Sequence, residues 1–151
     1  MFTKKSFEFL PEELRDASQC RLVVTFYDQI VAALEEAIDA VEAGEIERRY
    51  NAVKVATGLI SELYLALDED FGGDIARNLG QIYTYVLMHL PRINTHNDPA
   101  PAENGLRLLK PLRDSWAELD EMIEAGRVPG YTSAPAFNSH VRRADAELMT
   151  A

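Results

Sequence analysis

The chain is poor in the residues that mark several protein classes. One cysteine, Cys20, stands among 151 residues. It excludes an internal disulfide framework and a multi-cysteine zinc site, and it is compatible with a reducing compartment. Long apolar runs are missing: nothing approaches the roughly 20 residues of a membrane span. Met1 to Leu10 carries Lys4 and Lys5 and then Glu8, which is not the pattern of a signal peptide. Basic charge is scarce as well. Lys plus Arg total 15 against 25 for Asp plus Glu, a net charge of -10. Such a chain is repelled by phosphate backbones and anionic lipid heads, so neither nucleic acid binding nor membrane insertion is expected. The expected setting is the cytoplasm.

What is present is a core's worth of apolar residues, 47%, carried on helical rhythms. Val23, Tyr27, Ile30, Leu34, Ala37 and Val41 recur at steps of four and three, one stripe of an α-helix. Ser18 is its candidate N-cap and Gly44 its C-cap. Ile46, Tyr50, Val53, Thr57, Ile60, Tyr64 and Leu67 repeat the rhythm, with Ala52, Ala56, Leu59 and Leu63 as a second row. Gly58 weakens that helix by about 1 kcal/mol or lets another helix approach. Asp68 to Gly73 reads as a turn. A third helix is predicted from an Asp74 cap towards Leu90, with Ile75, Leu79, Ile82, Val86 and Leu90 on one face, widened by Tyr83, Tyr85 and Leu87. Its apolar arc spans roughly 200°, more than a surface helix needs. Pro91 should end or kink it. After a polar linker, Arg92 to Asn97, Asp98-Pro99 opens a fourth helix on Leu106, Leu109, Leu112, Trp116, Leu119 and Ile123, kinked at Pro111 and ending at Gly126.

Short connections make neighbouring helices antiparallel. The predicted fold is all-α, an antiparallel up-down four-helix bundle over residues 18–126. Residues 1–17, with Phe2, Phe7, Phe9 and Leu10, form an N-terminal strap. Residues 127–151 form a flexible C-terminal extension, with room for a short helix from Ser139 to Met149.

Catalytic and metal chemistry is hard to place on this frame. A di-metal carboxylate bundle needs Glu-x-x-His, but the residues three before His89, His96 and His140 are Val86, Ile93 and Phe137. The acidic turn from Asp68 has glycine at its sixth position, Gly73, yet Leu79 where an EF-hand needs its closing Glu. It reads as a solvated turn, so neither a metal nor another cofactor is expected. Cys20 sits beside Arg21 at a helix start, a setting that lowers a thiol pKa, but no histidine partner is evident and it reads as a packing residue. His89, with Arg92 three residues on, suggests a histidine phosphotransfer bundle. Pro91 lies between them, however, and His89 is in phase with Ile82 and Val86. No enzyme activity is expected.

Excess apolar surface is the remaining signal. Either the second and third helices are central and bury both sides, or they form a trough for a partner's amphipathic helix, covered beforehand by Phe7, Phe9 and Leu10.

The ordered motifs decide between these readings by resemblance. Ala17-Ser18-Gln19 is followed by Leu22 to Phe26-Tyr27-Asp28. Glu42-Ala43-Gly44-Glu45-Ile46 precedes the second helix, and Ile60-Ser61-Glu62-Leu63 closes it. Then come Gly72-Gly73-Asp74-Ile75-Ala76-Arg77-Asn78-Leu79, Ile82-Tyr83-Thr84-Tyr85 and Leu112-Arg113-Asp114-Ser115-Trp116. From Phe9 to Glu118 the chain resembles FliS, the flagellin-specific export chaperone family of the bacterial flagellar type III secretion system. The resemblance implies a cytoplasmic chaperone without enzyme activity. Its client is flagellin, whose C-terminal segment becomes helical while wrapping the bundle. Premature polymerisation is thereby prevented and the subunit held for export, with contact to the export apparatus. Phe9 corresponds best to the family's capping aromatic, although the family usually has Tyr there. Gln19 stands where the family has Pro. The expected partner-binding residues are Phe9, Leu22, Tyr27, Asn78, Ile82, Tyr83 and Tyr85.

Overall fold

The Val23-to-Val41 stripe winds into α1 (Gln19–Ala43) and goes inward as the spacing requires. Val23, Tyr27, Ile30, Leu34 and Ala37 are completely buried, and Leu22, Phe26 and Ala33 widen the buried face. The computed structural model describes residues 19–67 and 69–126. The strap, the C-terminal extension and the Ser18 cap lie outside these residues.

Gly44 ends α1 at φ +70. Its N–H donates to Val41 O at 3.2 Å, and the Glu45 N–H donates to Ala40 O at 2.9 Å. This is the paired closure of a left-handed C-cap, a conformation glycine adopts without a Cβ penalty. The chain turns at once into α2 (Ile46–Ala66). Arg48 ties the corner, reaching Glu36 at 2.6 Å and Glu45 at 2.8 Å, and its hydrogen bond holds the Glu36 carboxyl below the usual range.

α2 had two candidate inward rows, and the buried face is a blend dominated by the second. Ala52, Val53, Ala56, Ile60, Leu63 and Ala66 are buried. Ile46, Tyr50 and Tyr64, expected inside, are exposed. A helix can turn only one arc inward, and here that arc carries the small side chains of Ala52, Ala56 and Ala66.

α3 (Glu69–His89) breaks at Gly73, whose φ of 53 and ψ of -127 are non-helical. The expected turn before Asp74 is thus partly wrong: residues 69–72 are helical and the interruption is confined to Gly73. Pro91 ends α3 as expected. Its missing N–H costs nothing at the first position of a new helix, so the predicted linker is instead α4 (Pro91–His96). α4 buries Ile93 and stops at Asn97, φ +48. Asp98 Oδ1 accepts from the Ala100 N–H at 2.9 Å, which starts α5 (Ala100–Glu124). Pro111 lies within α5 on an exposed face, and the helix continues through it.

The result is an all-α bundle in which α1 takes most of its packing from α2 and α5. Exposed ion pairs mark the α1–α5 seam. Arg21 meets Glu124 and, at 3.5 Å, Asp120; Asp28 meets Arg113 at 2.7 Å; Glu35 meets Lys110 at 3.3 Å. Partners on α5 fall in number as those on α1 rise, so these two helices are antiparallel. Gly105 admits the closest approach here, since a Cβ on it would lie 3.2 Å from Leu34 Cδ1 and 3.5 Å from Val86 Cγ1.

Candidate functional site

Among the described residues, the large apolar side chains left exposed fall on two helices only. They are Ile46, Tyr50, Val55, Tyr64 and Leu65 on α2, and Ile75, Tyr85 and Met88 on α3. α1 and α5 instead meet along the charged seam. The molecule therefore has one flank held by ion pairs and another where apolar side chains face water.

On α3 the buried face is Ala76, Leu79, Tyr83, Val86 and Leu90. Beside it runs a second row at steps of three and four: Ile75, Asn78, Ile82, Tyr85 and His89. Ile75 is 64% exposed and Tyr85 46%. Asn78 is exposed, and Ile82 is half-buried against the core. Ile75 was expected on the inner face. It lies at the margin of the buried arc, one residue before the inward-facing Ala76.

Of the residues expected to contact a partner, Asn78, Ile82 and Tyr85 thus share one accessible row. Leu22, Tyr27 and Tyr83 belong to the core, the two tyrosines with no exposed surface. Phe9 lies outside the described residues. The Tyr27 and Tyr83 hydroxyls are 2.5 Å apart, and Tyr27 also hydrogen-bonds the Trp116 side chain. Burial pushes Tyr27 up to about 12 against those hydrogen bonds. It pushes Tyr83 higher still, with Tyr27 adding to the effect.

Two residues with reactive potential are built into the packing. Cys20 is buried. Burial first, and Asp120 second, raise its thiol to about 11. The lowering expected from Arg21 and a helix start is outweighed, because removing the sulfur from water penalises the thiolate. His89 lies over Tyr85 with ring centroids 4.3 Å apart. Its Nδ1 is 2.7 Å from the Tyr85 carbonyl oxygen, an arrangement that uses the ring to close a helix end. Among the described residues no group of three or more His, Cys, Asp or Glu could hold a metal ion, and no helix is long and apolar enough to cross a membrane.

The family model described as "Flagellar protein FliS" matches residues 10–122. The chain belongs to the FliS family. The flagellar secretion chaperone FliSB of Pseudomonas aeruginosa is 30% identical over 69% of this chain and 82% of its own. The flagellar secretion chaperone FliS of Salmonella typhimurium is 30% identical over 68% and 77%. That of Vibrio cholerae is 24% identical over 71% and 79%. The FliS match spans all five helices up to the last turn of α5, and it favours the chaperone reading over phosphotransfer through His89.

The second helix belongs to the trough expected from sequence, yet none of the expected contact residues lies on α2, where five large apolar side chains are exposed. A signal was present: two apolar rows on one helix cannot both face inward, and Val55 and Leu65 belong to neither.

Proposed function

We propose that this chain is a flagellar secretion chaperone whose α3 flank holds the C-terminal amphipathic segment of flagellin, masks the surface through which flagellin polymerises, and keeps the subunit ready for type III export from the cytoplasm. The observation that carries the proposal is the confinement of exposed large apolar side chains to α2 and α3, in a member of a family with named flagellar secretion chaperones.

The client track is Ile75, Asn78, Ile82 and Tyr85. These steps of three and four let a second amphipathic helix lie along α3 with its anchors between them. Asn78 supplies a side-chain amide to polar backbone at the client's helix ends. Leu22, Tyr27 and Tyr83 form the floor that sets the track's shape. To Phe9, which the family resemblance sets at the capping aromatic with Phe for the usual Tyr, we assign the role of covering the track until the client arrives. A segment that folds on binding loses about 2–5 kcal/mol in ordering. Burial at about 25 cal/mol per Å² offsets the upper figure with roughly 200 Å² of apolar contact, which a few side chains of this size supply.

The test is titration of the chain with a flagellin C-terminal peptide, followed by light scattering and circular dichroism. A one-to-one complex with more helix than the sum of its parts is expected. Ile82→Ala with Tyr85→Ala should weaken binding at least about tenfold, the loss expected when two anchors are truncated. No added helicity, or unchanged affinity in the double variant, would remove the α3 track.

A further inference from the structure

The family match ends at residue 122, and 25 residues follow Gly126. Within them Phe137, Val141, Ala144 and Leu148 recur at steps of four, three and four, one stripe of a helix. Pro135 suits its opening turn. Alone, a helix of this length is marginal in water and needs a surface to lie on.

The outer face of α2 offers that surface, apart from the client track. Val55 and Leu65 there are 51% and 75% exposed. Between them is Gly58, exposed, with nothing within 4 Å of where a Cβ would be and no positive φ to require glycine. Lys54 lies four residues before it and Glu62 four after. Both are exposed, and neither makes an ion pair among the described residues. Glu47, in phase with Gly58, is exposed as well, so this face carries a net charge of -1.

Reach and charge bring the two together. The Arg21–Glu124 pair sets the end of α5 beside the start of α1, and the tight Gly44 turn brings the end of α2 back to the same place. From α5 across α1 to α2 is two helix spacings, about 20 Å, while residues 127–136 extend to about 33 Å. Tethering at such a length supplies an effective concentration in the millimolar range, so a small contact suffices. Residues 127–151 carry Arg127, Arg142 and Arg143 against Asp145 and Glu147, a net charge of +1 in a chain of -10. This is the sign that the α2 face and the rest of the chain attract.

We propose that residues 137–149 fold back as a helix antiparallel to α2 and cover its outer face. In that direction one register satisfies the apolar and the charged groups together. Ala144 sits over Gly58, where two small residues let the helix axes close to about 8 Å. Phe137 then reaches Leu65, Val141 reaches Ser61, and Leu148 reaches Val55. Arg142 comes within a turn of Glu62, and Glu147 within a turn of Lys54. The reverse direction would turn Arg142 towards Lys54 and Glu147 towards Glu62, like against like. The extension thereby covers the apolar flank of α2 and leaves α3 to the client.

The experiment is hydrogen exchange followed by mass spectrometry on the full chain without client, so its outcome is independent of flagellin binding. Amides of residues 140–149 should exchange at least about tenfold more slowly than in a free peptide of residues 127–151. Gly58→Leu, which puts bulk where Ala144 sits, should restore the free-peptide rates without lowering the melting temperature, because leucine favours helix. Glu62→Arg should weaken the protection, and Arg142→Glu in the same chain should recover it. Free-peptide rates in the wild type, or protection that survives Gly58→Leu, would overturn the proposal. So would protection that disappears on dilution, the mark of a second copy on this face.

Discussion

The hydroxyl oxygens of Tyr27 on α1 and Tyr83 on α3 lie 2.5 Å apart with neither ring exposed. Trp116 on α5 hydrogen-bonds Tyr27 as well. Three helices therefore share one buried polar cluster within an otherwise apolar core, and α3, the helix carrying the client track, is fixed through it.

Removing one hydroxyl leaves its partner with an unmet group. Tyr83→Phe is expected to cost about 1–2 kcal/mol, which lowers the melting temperature by roughly 3–5 °C for a chain of this size. Tyr27→Phe should cost about the same. The double variant should lose less than the sum of the two, because it leaves neither tyrosine hydroxyl stranded, only the Trp116 indole N–H that Tyr27 accepts from. Urea unfolding of the four proteins measures the coupling, and strict additivity would show that the hydroxyls act independently.

Alkaline pH should destabilise the fold in stages. Cys20 rises from 9.0 to about 11 and Tyr27 from 10.0 to about 12. Folding favours the protonated forms, so this stability is complete below pH 9. It falls as pH rises, first through the Cys20 window and then through that of Tyr27. Cys20 contributes of order 2 kcal/mol. In Cys20→Ala the slope of stability against pH between 9 and 10 should flatten, whatever the packing cost at neutral pH. A variant slope equal to wild type would refute the assignment.

Gly44→Ala should destabilise by about 1 kcal/mol, because φ of +70 places a Cβ against the following carbonyl. Space is open around this glycine, so the whole loss is conformational. Gly44→Asn, which tolerates the left-handed region better, should recover part of it. Thermal melts of the two variants decide this.

Gly105→Val tests a different origin of loss. The added side chain meets Leu34 and Val86 where α1, α3 and α5 converge. Overpacking of this kind costs about 1–3 kcal/mol. Leu34→Ala in the same chain should relieve part of it, and a double variant showing no such relief would place the strain elsewhere.

Periodicity located α1, the ends set by Gly44 and Pro91, and the Asp98 start of α5, because each rests on local chemistry. It could not choose which apolar row of α2 turns inward. Ile46, Tyr50 and Tyr64 satisfy the same spacing as Val53 and Ile60, and only the packing of α2 against the rest of the bundle, which buries Ala52, Ala56 and Ala66, decides between them. The short helix α4 was hidden for a related reason: Arg92, Asn94 and Thr95 look like a linker until Ile93 is given a core to enter. Within the site, Asn78, Ile82 and Tyr85 could be read as one surface row. The interior position of Tyr27 and Tyr83 could not, because an aromatic with a hydroxyl suits a contact surface and a buried hydrogen bond equally well.

The chain has a single tryptophan, and it is the one joined to Tyr27. Excitation absorbed by Tyr27 or Tyr83 can therefore pass to the Trp116 indole over a very short path. Its emission becomes an optical gauge of how α1, α3 and α5 hold together, readable on the native molecule with no attached dye.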